Sequence, residues 1–338
     1  SYNNGHLKSN TIETIPTIIN IVEIVRTMYT VFFIPIESIV FPKGNIKNVN
    51  MVLKDLYYGE KTLEEAEIKM QKTVLNNLSS ISDFNLVIGG NLSNQLGSMN
   101  ASLKNTGKSF LGVYSACASF VEGMIIGANM ISSKEIDKTC VLTSSHELTS
   151  ERQFRFPIEY GSLKVNYTTI TATGSVGVII SNDKTKCKIV SSTIGSVVDY
   201  SITDVNNMGA IMAPAAMNTI INHLKNMNKN INDYDIILTG DLGKLGLEIL
   251  KTILYKEYNL KTNKLTDAGS ILYKDEQNKY QGGSGPVVLP LVLFNKILLS
   301  KKYKHILIVG TGALHNTTLV NQKKSIPAIA HAIEIEVQ

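Results

Sequence analysis

The apolar residues of this chain fall into two kinds of run. The first has helical spacing: Leu63, Ala66, Ile68, Met70, Val74, Leu75 and Leu78 line one face of a helix over 63–78, with Thr62 placed to cap it. Residues 118–131, 212–226, 243–258 and 286–299 read as further helices, with Pro214 in the first turn of 212–226. The second kind is short and apolar almost throughout, at 31–40, 84–90, 110–113, 139–144, 173–181, 189–198, 235–239, 305–309 and 328–336. Such runs suit strands covered on both faces, as in largely parallel sheets flanked by helices. Pro35 cannot donate to a ladder, so its strand is expected at an edge or with a bulge. Residues 42–45 read as a turn and 14–27 as an amphipathic helix.

The order of parts occurs twice. Leu86-Val87-Ile88-Gly89-Gly90-Asn91-Leu92 is echoed 150 residues later by Ile236-Ile237-Leu238-Thr239-Gly240-Asp241-Leu242. Cys140-Val141-Leu142-Thr143-Ser144-Ser145 is echoed 166 residues later by Ile306-Leu307-Ile308-Val309-Gly310-Thr311. The turn and helix after Cys117 answer to those after Gly283. This predicts an α/β fold of two βαβαβ-type halves, 51–184 and 185–338, after a poorly readable segment 1–50 that holds the first strand. Stacked, the halves make a five-layered α-β-α-β-α sandwich with a helix from each in the middle.

Composition narrows the function classes. Of 338 residues, 43% are hydrophobic and 18% charged, which fits a folded globular chain. The net charge is +5, but the densest lysines (Lys43, Lys47, Lys54 and Lys301, Lys302, Lys304) are not interleaved with aromatics. That argues against nucleic acid as a partner and leaves anionic ligands or lipid headgroups. Cys117, Cys140 and Cys187 are odd in number and far apart, which points to a reducing compartment and to neither a disulfide framework nor a metal site. Cys140 and Cys187 lie in strands and read as core. Glu23, Arg26, Pro35 and Glu37 interrupt the apolar stretch 15–40, so neither a transmembrane segment nor a signal peptide is expected. No acidic run has the spacing of a calcium loop.

Cys117 stands between the strand 110–113 and the helix 118–131. A thiol there faces unsatisfied backbone N–H groups and the positive end of the helix dipole, which favour thiolate and so a nucleophile. The alternative is a small apolar residue packed between helices.

Ser115-Ala116-Cys117-Ala118-Ser119-Phe120 resembles the nucleophile motif of condensing enzymes, and Gly174-Ser175-Val176-Gly177-Val178 their glycine-rich strand. With the duplication, the chain therefore resembles the thiolase superfamily. Six further blocks narrow the match: Thr143-Ser144-Ser145-His146, Glu151-Arg152-Gln153-Phe154-Arg155 with the residues to Gly161, Thr203-Asp204 with Met208-Gly209, Met212-Ala213-Pro214-Ala215-Ala216, the stretch 238–242, and Lys324-Ser325-Ile326-Pro327 with the residues to His331. These resemble the stage V sporulation protein AD family. The resemblance implies a thiolase fold that pairs the strand 109–113 across a homodimer twofold. It also implies a protein without cofactor, peripheral at the inner membrane on the cytoplasmic side of the developing spore. Such a protein binds dipicolinic acid and takes part in its uptake, with calcium, beside membrane transport proteins of the same operon.

Condensing enzymes set a histidine and an asparagine beside the cysteine to stabilise an oxyanion. Matched to that pattern, the histidine position is Gly240-Asp241 and the asparagine position is the turn Gly282-Gly283-Ser284-Gly285; the second thiolase cysteine falls in Gly310-Thr311-Gly312. Binding without chemistry is expected on these grounds. The alternatives are an acyltransferase or condensing enzyme using Cys117 as nucleophile, with another base such as His146, and a scaffold for the membrane transport complex that docks through its surface alone. The candidate ligand site comprises Cys117, His146, Arg152, Arg155, Asp241, Gly283 and Ser284, with the two arginines on a loop as bidentate partners for a planar dicarboxylate. His223 and His305 read as structural or exposed, and His315 and His331 have weaker claims.

Overall fold

The computed structural model describes residues 31–41, 51–52, 55–155, 164–273 and 280–338, with the backbone alone for 31–41 and 51–52. The helix expected over 14–27 and the turn at 42–45 lie outside the described residues. In chain order the first half holds β1 (Val31–Phe41), β2 (Met51–Val52), α1 (Leu63–Ile81), β3 (Leu86–Gly90), α2 (Gly97–Leu103), β4 (Ser109–Gly112) and α3 (Ser119–Ser132). It continues with β5 (Lys138–Ser145), α4 (Glu147–Phe154), β6 (Ile170–Thr171) and β7 (Thr173–Ser181). The second half holds β8 (Cys187–Thr193), α5 (Met208–Met227), β9 (Ile236–Thr239), α6 (Gly243–Tyr258), β10 (Leu265–Asp267), α7 (Ala268–Leu272) and β11 (Gly283–Ser284). It ends with α8 (Val288–Val292, continued by a π turn to Ile297), β12 (His305–Ala313), α9 (Thr317–Asn321) and β13 (Ala328–Val337).

The strands of the first half order as β4-β3-β5-β7-β1 and those of the second as β10-β9-β12-β13-β8. In each, the three strands at the outer end run parallel and the next is antiparallel. The two sheets meet where Val31 and Phe32 of β1 pair with Ile189 and Lys188 of β8, so the hydrogen-bonded path runs through both. The expected interruption at Pro35 is a register shift between Ile34 and Glu37; β1 has strand neighbours on both sides and is not an edge.

Both faces of each sheet are covered, and strand periodicity sorts the side chains. On β12, Ile306 and Ile308 face the central layer with Ile333 and Ile335 of β13, while Leu307 and Val309 face α5 and α6. On β5, Val141 faces the central layer while Cys140 and Leu142 face α1 and α2. The middle is α3 against α8, where the Phe120 and Phe294 rings meet edge to face at 5.9 Å. Pro290 in α8 leaves the carbonyl of Pro286 without its usual i+4 donor, and Thr143 Oγ1 on β5 donates to it at 3.3 Å.

Three local expectations change. Helix α5 starts at Met208, capped by Asn207 Oδ1 accepting from Ala210 N, so Pro214 sits in the second turn, not the first. The strand expected to reach 198 ends at Thr193, because Gly195 turns the backbone against Ala330 so closely that a Cβ there would lie 1.7 Å from its carbonyl oxygen. Strand β10 was not expected: Leu265-Thr266-Asp267 is too short and polar for a periodic signal.

Candidate functional site

Cys117 occupies a single 3₁₀ turn, Ala116–Ala118, between β4 and α3. The turn is tight: Ala116 has φ of 51°, a left-handed conformation that costs a residue with a Cβ about 1–2 kcal/mol. Ser119 holds it, accepting from Ser115 N (3.1 Å) and donating to Ala116 O (2.8 Å). From the second half, Gly312 brings its backbone so close that a Cβ would fall 2.2 Å from Ser115 O. Both halves therefore build the turn.

Behind the thiol lies Asp241, at the end of β9 and fully buried. Its carboxylate accepts from Ser284 Oγ (3.0 Å), Gly285 N (3.0 Å), Thr311 Oγ1 (2.9 Å) and the Cys117 thiol. Asp267 caps α7 and accepts from Leu242 N and Gly243 N, each at 2.9 Å, which fixes the turn that presents Asp241. Burial first, then the charge and hydrogen bond of Asp241, push the Cys117 thiol well above its ordinary range against the pull of Ser284 and Gly285. Of the two readings of Cys117, the pull of the helix terminus toward thiolate is outweighed by burial and a neighbouring carboxylate.

Cys117 keeps a partly exposed face, which opens on a slot with about 50 Å³ of water-accessible volume. One wall is α4, which contributes Ser150, Glu151 and Phe154, with Arg155 at its C-terminal cap; the other carries Met208 and Met212 of α5, Ala313 at the end of β12 and His315 just beyond it. The Phe154 and His315 rings meet at a tilt of 43°, with 5.2 Å between centres. Arg155 donates through Nη1 to Glu151 Oε1 (2.6 Å) and to Thr169 O (3.5 Å), and Lys164 lies 3.4 Å from the same carboxylate oxygen. Two buried polar atoms, Ser150 Oγ on the first wall and His315 Nδ1 on the second, have no partner among the described residues. Burial and the nearby Arg155 charge lower the His315 pKa to about 4, so the ring is neutral.

Of the residues singled out from sequence, Cys117, Arg155 and Ser284 line the slot. Asp241 touches Cys117 and Ser284 from behind with its oxygens already engaged. Gly283 serves β11, paired with Ile170 of β6. His146 is buried with Nε2 3.0 Å from Leu56 O and anchors that segment rather than lining the slot. Arg152 points elsewhere, ion-paired with Glu64. The reason is that 147–154 is helical, not a loop: the i, i+4 pairs Ser150/Phe154 and Glu151/Arg155 make the slot face and leave Arg152 outside it. Sequence reasoning left Ser150, Phe154 and Met208 out of the ligand site and gave His315 only a weaker claim. A helical reading of the stretch after His146 finds the first two; His315 and Met208 carry no local signal.

A duplicated sandwich with a cysteine turn where its central helices meet defines the class: this is a thiolase-fold protein. Solved structures agree on the fold. OleA from Xanthomonas campestris, in a variant form, superposes with a TM-score of 0.59 at 16% identity, over 92% of this chain and 97% of that one. The 3-oxoacyl-[acyl-carrier-protein] synthase III of Aquifex aeolicus VF5 gives 0.56 at 13% identity, over 90% and 99%. Within that class the chain belongs to the stage V sporulation protein AD family, SpoVAD, whose model matches residues 35–336. It is 36% identical over 290 residues to the stage V sporulation protein AD of Bacillus subtilis (strain 168), covering 83% of this chain and 86% of that protein. Among the described residues no helix is long and apolar enough to cross a membrane.

Proposed function

We propose that this sporulation protein binds dipicolinic acid in the slot beside Cys117 without transforming it, and takes part in its uptake, with calcium, into the developing spore. It would do so beside membrane transport proteins encoded with it. The observation that carries the reading is the polar pattern of the slot. Among the described residues Ser150 Oγ and His315 Nδ1 are buried and unpartnered, and Arg155 keeps Nε and Nη2 as donors in a largely apolar wall. Unpaired buried polar atoms cost about 1–3 kcal/mol each, which a ligand with matching groups recovers. A flat ring with two carboxylates offers such groups and a face for Phe154 and His315. The slot has room for about three to five waters, less than the ring needs, so Met208 and Met212 must yield; flexible thioether side chains are suited to that.

Titration calorimetry with dipicolinate tests this. Arg155→Ala should weaken binding about tenfold to a hundredfold, the loss of one charge-assisted contact of roughly 1.5–3 kcal/mol, while Arg152→Ala should bind as the wild type does. No heat or competition at millimolar dipicolinate would leave the surface scaffold as the better reading.

The second reading, acyl transfer by Cys117, has one observation in its favour: His315 shares the slot with the thiol. Against it stand the raised thiol pKa and the carboxylate behind it, which would repel a developing oxyanion. Incubation with acyl-CoA followed by intact mass measurement should give no adduct. A stoichiometric adduct that disappears in Cys117→Ala would overturn the non-catalytic reading.

The chain is also expected to dimerise through β4. This strand ends its sheet, and Leu111 on it is 41% exposed, with Tyr114 just beyond. An open edge with apolar side chains is a template for pairing, and an isologous twofold closes it. Light scattering at micromolar concentration should report a dimer for the wild type and a monomer for Leu111→Lys; a strictly monomeric wild type would refute the pairing.

A further inference from the structure

The far end of the second sheet carries a cluster that the dipicolinate reading does not use. In the β12–β13 ladder His305 lies directly opposite Glu336, and strand periodicity places Glu334 on the same face two residues away. One nitrogen of His305 and one oxygen from each glutamate lie within 4.8 Å of one another. From these residues we infer that the protein holds a transition-metal ion, of the zinc class, at this corner of the sheet.

Four observations support the assignment. The ligand set is an imidazole and two carboxylates, which suits zinc and its neighbours rather than calcium, a cation that takes six to eight oxygens. The backbone that carries it is fixed, since β12 and β13 are interior strands flanked by β9 and β8. Glu334 is buried, and Ser191 Oγ on β8 donates to its Oε2 at 2.8 Å, the kind of outer hydrogen bond that orients a ligating carboxylate. His305 is exposed, so an ion has a route in, and its ring has no hydrogen-bond or ion-pair partner among the described residues.

Other cations compete for the same carboxylates. The Lys229 ammonium pairs with Glu334 Oε1, and Lys188 on β8 lies opposite Glu336 in the ladder. His223, whose Nε2 is 3.9 Å from Glu334, is neutral and is engaged with Thr193 and Tyr234. Lys229 is one-third exposed, at the end of a flexible stem, and a divalent ion held by three ligands outcompetes one ammonium at close range. The lysine is then the counter-ion of the metal-free state and moves to solvent when the metal enters.

The test is a Zn²⁺ titration of the full chain against a chromophoric chelator, with urea melts to confirm that each variant folds. The wild type should bind one Zn²⁺ that His305→Ala and Glu336→Gln each weaken at least tenfold. Lys229→Met should bind it at least as tightly as the wild type and gain more thermal stability from Zn²⁺ than the wild type does. Millimolar Ca²⁺ should not compete. Zinc binding left unchanged in both ligand variants, or no binding by the wild type at 100-micromolar-order Zn²⁺, would overturn the site; displacement by Ca²⁺ would overturn the metal class.

Discussion

Between about pH 7.5 and pH 5 the protein is expected to lose about 3 kcal/mol of folding stability. His223, His315 and His331 are buried in the fold, and burial lowers each to about 4 from 6.5. Hydrogen bonds tie two of them to the neutral form or its partners: His331 Nδ1 accepts from Gly195 N, and His223 bridges Thr193 Oγ1 and Tyr234 Oη. A histidine lowered in the fold contributes stability that is complete above 6.5 and is lost as pH falls toward 4, because only the unfolded chain takes up the proton. At about 1.4 kcal/mol per pH unit, each is worth about 2 kcal/mol by pH 5, or about 6 kcal/mol for three. Asp267, raised to about 7 by burial, runs the other way: its unfolded form is the better acid, so acidification returns roughly 2–3 kcal/mol over the same window. Asp241, also raised, adds to that return. Urea midpoints at the two pH values measure the net, and His223→Gln should reduce the difference by about 2 kcal/mol, separating the histidine share from the aspartates. Equal or greater stability at pH 5 would contradict the assignment.

The layers of this molecule were legible because burial on both faces leaves a mark that needs no partner to be known. Runs such as 173–181 and 243–258 were bounded to the residue, and the echo of 86–92 in 236–242 carried the duplication. The site was legible where it coincides with the fold, at the Cys117 turn and the glycine-rich turn holding Ser284, and at Arg155 in the block after His146. What remained hidden is assembled across the halves. His315 follows a strand in one half and meets Phe154 of the other at a tilt, a contact that no local window contains. Arg152 and Arg155 look equivalent on paper; only the helical phase of α4, set by packing over the slot, separates a residue paired with Glu64 outside the slot from one that lines it. Pairing with Glu151 is likewise invisible until that phase is known.

Replacing Asp241 with asparagine is expected to make Cys117 reactive. In the wild type the thiol is held protonated by burial, which the substitution leaves in place, and by the carboxylate, which it removes. Each unit by which the thiol pKa falls multiplies the thiolate fraction tenfold near neutral pH, so alkylation of Cys117 by iodoacetamide should accelerate by about tenfold or more. The cost is structural: Ser284 Oγ and Thr311 Oγ1 can turn to accept from the new amide, but Gly285 N–H competes with it for orientation, a loss of roughly 1–3 kcal/mol that a urea melt reads separately. Cys117→Ser supplies the background, since Cys187 is also partly exposed. A folded Asp241→Asn protein that labels at the wild-type rate would mean that burial alone silences the thiol. An accelerated rate would identify Asp241 as the residue that keeps a nucleophile's position in use as a wall, because the same carboxylate that orders Ser284, Gly285 and Thr311 around the turn also withholds the charge that chemistry at Cys117 requires.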